Sequence, residues 1–195
     1  MQVDARVNAM LDGEFATNDK MSLHTAFSLT GSNEVTGGSY ARQTITWASA
    51  ASRSKASSGN IEFPVAAAVT VAFIGVWDSA GTTFRGMWPN AGTERSYQVD
   101  LTNNRIYCEG HGMVDNDRVV FTGATVPTGL TAGTVYYVVG TTAGDPDYFQ
   151  ASATLGGAAI DITAQASADS RVSNIVLETY GSAGTHRVTS FSVGM

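Results

Sequence analysis

The chain has 195 residues, of which 43% are hydrophobic and only 14% charged, with 21 glycines and a formal net charge of −6; a typical globular protein is about 25% charged. Ordinary hydrophobicity with modest net charge excludes disorder, and an acidic balance with scattered basic residues (Arg42, Arg53, Lys55, Arg105) argues against a phosphate-backbone partner. One cysteine and three histidines leave no intramolecular disulfide and almost no room for a zinc cage, and no apolar run approaches the ~18–20 residues of a membrane span.

In chain order, Val3, Val7, Met10 and Leu11 fall at helical spacing, with Gly13 as a stop. No secretory leader pattern is seen there, so synthesis in the cytosol is expected. From Lys20 onward the signals are strand and turn. Met21 and Leu23 alternate with Ser22 and His24, and Thr44–Trp47 forms a short strand. Residues 48–59 are polar and small and read as a loop, while 61–64 alternates again, with Pro64 marking an edge or strand end. Residues 69–77 are nearly continuous in apolar character, which predicts a strand buried on both faces. A turn at 79–81 returns the chain through residues 82–87.

Short strands follow at 105–107, 118–121, 135–139, 148–150 and 160–162, punctuated by Gly, Pro and Asp. Residues 173–179 and 186–193 supply the last two strands. The expected fold is therefore all-β: a jelly-roll-like or sandwich domain with a short N-terminal helix and a small inserted β-domain. Residues 1–105 with 173–195 form the assembly domain, and 106–172 form an inserted, projecting module.

Candidate chemistry is sparse. Asp115-Asn116-Asp117 resembles the start of a calcium loop, but the sixth and twelfth positions hold Val120 and Val126 rather than Gly and Glu. A turn entering the next strand is the better reading. His111, between two glycines, is expected to be exposed, whereas His24 and His186 are expected to be hydrogen-bonded structural residues. Cys108 reads as a small buried hydrophobe. No Gly-x-Ser-x-Gly elbow is present and no carboxylate pair is singled out. No catalytic, cofactor or metal residues are expected. Trp77 is assigned to the core. Trp88, at a turn, is the expected exposed aromatic, and with Asp145 and Tyr148 it marks a candidate surface contact.

Two stretches carry a resemblance. Ser22-Leu23-His24-Thr25-Ala26, residues 31–43 (Gly-Ser-Asn-Glu-Val-Thr-Gly-Gly-Ser-Tyr-Ala-Arg-Gln), Thr46-Trp47 and Ile74-Gly75-Val76-Trp77-Asp78 resemble a family of small virion proteins of tailed bacteriophages. Its members are minor tail, tail-fibre-like or head-decoration proteins. The sequence departs from the family at Phe27-Ser28-Leu29, where Asp-Pro-Gly is usual. Gly110-His111-Gly112-Met113, Asp117-Arg118-Val119, Pro127-Thr128-Gly129-Leu130, Ala132-Gly133-Thr134, Tyr136–Val139 and Gly156–Ile160 are similar to a small β-module found in many phage tail and capsid-surface proteins.

The resemblance implies a non-enzymatic virion component, either capsid decoration or a minor tail protein. The alternative is a tail-fibre or receptor-binding tip that contacts a host surface glycan. The implied partners are major capsid or tail proteins. The resemblance, together with the need of a charge-poor β-protein to cover its edges and flat faces, implies a homotrimer.

Overall fold

The computed structural model describes residues 4–194. The fold is all-β with one short N-terminal helix, α1 (Asp4–Glu14). Val7 and Leu11, one turn apart, are its buried residues, and Met10 is exposed; Val3 lies outside the described residues. Gly13 sits inside the last turn rather than ending it. The stop comes from Asn18, whose side-chain amide donates to the Glu14 carbonyl at 2.5 Å.

The chain divides into two compact units, Met1–Met87 with Glu178–Met195, and Trp88–Leu177. The boundaries expected near residues 105 and 172 both fall inside the second unit. Two connections shift them. Arg95 exchanges backbone hydrogen bonds with Val172, and a strand absent from the sequence reading, β8 (Gln98–Asp100), pairs with β9 (Arg105–Tyr107).

The first unit contains a four-stranded sheet in the order β2 (Gln43–Thr44), β1 (Lys20–His24), β6 (Phe73–Trp77), β7 (Phe84–Pro89). Every residue of β6 is buried, as its continuous apolar run predicts. The expected strand at 69–77 is interrupted, however. β5 (Val69–Val71) and β6 are separated by Ala72, whose N–H bonds the His24 carbonyl. The rest of the unit is antiparallel pairing between two distant segments: β3 (Ser54–Ala56) with β16 (Ser192–Gly194), β4 (Ile61–Val65) with β15 (Gly184–Val188), and β5 with β14 (Glu178–Tyr180). Three stretches of residues 54–71 thus pair, in turn, with three stretches of residues 178–194 as separate two-stranded ribbons. Pro64 faces Thr185 from an exposed position on a two-stranded ribbon, the edge setting in which a proline is tolerated.

The second unit is built on a six-stranded sheet in the order β13 (Arg171–Asn174), β10 (Arg118–Thr122), β11 (Val135–Val139), β12 (Tyr148–Ser152), β9, β8. Its core joins Ile106, Val119, Phe121, Val138, Phe149 and Val172, all fully buried. Val119 and Phe121 take alternate positions on one face of β10, whose other face is buried as well at Val120 and Thr122. Residues 160–162 form no strand. They are pinned singly instead, Ile160 N–H to the Ala151 carbonyl and Ile162 N–H to Asn104 Oδ1. The expected strand at 173–179 is two strands in different units, and that at 186–193 is two strands separated by a bend.

Candidate functional site

In the first unit the residues that carry the sequence resemblance form an internal brace. Trp77 Nε1–H donates to Ser22 Oγ at 2.7 Å, and Ser22 Oγ lies 2.7 Å from His24 Nε2. His24 Nδ1 lies 2.9 Å from the Ser32 carbonyl. A carbonyl only accepts, so Nδ1 carries the proton and Nε2 accepts from the Ser22 hydroxyl. The result is a one-way chain from Trp77 through Ser22 and His24 to the Ser32 carbonyl. Ser22 and His24 are fully buried, and burial lowers the His24 pKa, with the Ser32 carbonyl partly opposing.

Around the same tryptophan, the Arg42 guanidinium lies 3.5 Å from the ring centroid. It grips both Glu34 carboxylate oxygens, at 2.6–3.0 Å, and the Gly81 carbonyl at 2.6 Å. The Tyr40 hydroxyl donates to Glu34 at 3.2 Å and accepts from the Leu23 N–H. Burial pushes the phenol pKa up. Gly31 has no room for a side chain: a Cβ there would lie 2.5 Å from Trp77, at a φ of +79°.

The other titratable candidates resolve as follows. His186, buried, contacts Tyr180 Oη at 3.1 Å and Glu178 Oε2 at 3.0 Å. His111 is buried, not exposed, because the Phe149 ring packs 5.1 Å away and its Nδ1 accepts from the Met113 N–H. Burial lowers both histidine pKa values. Cys108 is buried in the second core, and desolvation raises its pKa. A reactive thiolate needs the opposite shift. Asp115 and Asp117 shape the turn into β10 by accepting from Thr141 and from the Val114 N–H, and Asn116 takes a φ of +79°.

Two of the three surface candidates come together in the second unit. Arg105 joins them: its guanidinium reaches Asp145 at 2.6 Å and Asp100 at 3.4 Å, and lies 4.1 Å from the Tyr148 ring centroid. Tyr148 pairs across the ladder with Tyr107, ring centroids 5.1 Å apart. Trp88 lies on another element, β7, where it is half-buried rather than exposed. Beside the Arg105 stack, segments 110–114 and 141–147 enclose a shallow groove of about 500 Å³. Sequence reading missed Arg105, Tyr107 and Asp100. The signal that could have found them is Asp100-Leu101-Thr102-Asn103-Asn104, a turn in which Asp100 Oδ1 accepts from the Thr102 and Asn103 N–H groups. That turn folds β8 onto β9 and sets Arg105 opposite Asp100.

Each of the two β-units thus holds one polar cluster around an arginine, Arg42 in the first and Arg105 in the second. Residues 9–103 match the model of a family described as Podophage GP4 fiber I protein gp80. The match spans just under half of the chain and supports a phage fibre-related virion family. Comparison with curated proteins and with solved structures finds no match.

Proposed function

We propose that this chain is a non-enzymatic structural component of a tailed-phage virion, made in the host cytoplasm and carried on the particle as part of a fibre or tail appendage. One observation carries the reading. The fibre-family match spans residues 9–103, and so takes in most of the first segment of the first unit. That unit serves attachment to other virion proteins, and the second unit is carried by it. Capsid decoration is the runner-up location. A homotrimer suits both, since the two-stranded ribbons offer edges that neighbouring copies can cover.

The test is complementation of a phage lacking the gene. Protein with residues 88–177 replaced by a flexible linker should still be incorporated into particles, and immunogold label against the first unit should mark the tail appendage. Label confined to the capsid would transfer the reading to decoration. Loss of incorporation with a folded first unit would refute the division of labour.

A further inference from the structure

We propose that residues 178–188, which carry β14 and β15, form a proton-released arm of the first unit, with His186 as its trigger. β14 and β15 follow one another in the chain but share no ladder. β14 pairs with β5 and β15 with β4, in two separate ribbons. A side-chain cluster joins them instead. His186 Nδ1, on β15, lies 3.0 Å from Glu178 Oε2 and 3.1 Å from Tyr180 Oη, both on β14. The Tyr180 ring packs edge-on to the imidazole, ring centroids 6.2 Å apart.

The protons in this cluster can be placed. The Tyr180 hydroxyl donates to Glu178 Oε1. Burial and that carboxylate raise the phenol pKa, so the hydroxyl keeps its proton. A carboxylate only accepts, so His186 Nδ1 carries its proton and directs it at Glu178. Nε2 is then the bare nitrogen, and it is buried without a hydrogen-bond partner. Protonation would turn that atom into a charged N–H donor with nothing to bond in a dry site, which is far costlier to bury than an idle lone pair. His186 is only 2% exposed and stands opposite Phe63 in the register. It reaches water when β15 lifts away from β4.

The surrounding charges do not remove this cost. Glu178 favours the imidazolium, but its side chain is 47% exposed, and burial of the ring outweighs it, leaving the His186 pKa lowered. Glu62 and Arg187 pair with each other at 2.6 Å from exposed positions. Phe63 stacks on Tyr40, whose hydroxyl donates to Glu34. In the released arm the imidazole has the ordinary value of about 6.5, so release takes up a proton. Each pH unit below about 6.5 therefore favours release about tenfold, until the docked imidazole itself protonates. Release bares the edges of β4 and β5, which have no other strand beside them. Mild acid thus opens two edges to which a strand of a neighbouring chain can add.

The test is hydrogen exchange on the full chain between pH 7.5 and 5, corrected for the intrinsic pH dependence of amide exchange. Amides of residues 184–188 and 61–65 should lose protection about tenfold per pH unit below about 6.5. That slope should vanish in His186→Asn, whose amide still donates to Glu178 but does not titrate, and should persist in His24→Asn. Imidazole titration of the wild-type protein by NMR, which needs no variant to fold, should place His186 below 6.5. The proposal is overturned if the wild type shows no slope, if His186→Asn keeps it, if His24→Asn abolishes it, or if His186 titrates at or above 6.5.

Discussion

The Trp77–Ser22–His24–Ser32 chain makes the stability of the first unit depend on pH in a direction that can be worked out. His24 is fully buried, and burial lowers its pKa in the folded protein below the ordinary histidine value of about 6.5. As pH falls through about 6.5 the unfolded chain takes up the proton first, so folding loses stability at up to about 1.4 kcal/mol per pH unit. The loss continues until the folded His24 itself protonates. Full stability lies above that window. Protonated His24 would also turn Nε2 into a donor facing the Ser22 hydroxyl, which already accepts from Trp77. The groups facing His24 are the Phe84 ring, Glu34 and Arg42, and the two charges act in opposite directions on it. Urea unfolding between pH 8 and 5, followed through tryptophan fluorescence, measures the slope. His24→Asn should remove about 1.4 kcal/mol per pH unit of it while lowering stability at pH 8 as well. Ser22→Ala should cost about 2–4 kcal/mol at pH 8, since it strands the Trp77 N–H and His24 Nε2 in a dry site. Long-range nitrogen correlation spectra should show the proton on Nδ1. A slope unchanged in His24→Asn, or a proton on Nε2, would refute the reasoning.

Gly75→Ala would place a Cβ 2.5 Å from His24 Nε2 and 2.7 Å from Ser22 Oγ; chemical denaturation should show a loss of about 2–4 kcal/mol. Lys55→Met should remove the ion pair to Asp12 and the 3.0 Å bond to the Ala48 carbonyl, costing about 1–3 kcal/mol. It should also speed tryptic cleavage at the exposed Arg6 as α1 loosens. Removing residues 178–195 deletes β14, β15 and β16 and so one side of every pair in that ladder. Hydrogen exchange should then show protection lost across residues 20–77 and retained across the second sheet.

What was legible in the sequence is what periodicity encodes. The burial of β6 within the expected 69–77 strand, the Trp77 and Cys108 core positions, and the strands β9 to β12 of the second sheet follow from apolar patterning alone. What was not legible depends on distant partners. Ser54-Lys55-Ala56 reads as loop, yet it is β3, because Asp12 neutralises Lys55 and Val193 pairs across from it. His111 reads as exposed from its flanking glycines, but Phe149, 38 positions later, covers it. Residues 173–179 read as one strand because nothing local marks the crossing from one unit to the other. Asp145 and Tyr148 were singled out from their loop, but Arg105, which brings them together, required knowing that β9 lies beside β12.

The pairing of residues 54–71 against 178–194 also sets a schedule. During synthesis the partner strands of the first unit are made only after all of residues 88–177. The second unit, whose strands pair within one continuous stretch, can close while the first still waits for its other half. A ribosome that stalls or a chain that is cut anywhere in the second unit therefore leaves the first without its ladder, whatever its first 87 residues contain. That order works as a completeness check on the first unit: only chains translated through β16 gain all three of its long-range strand pairs.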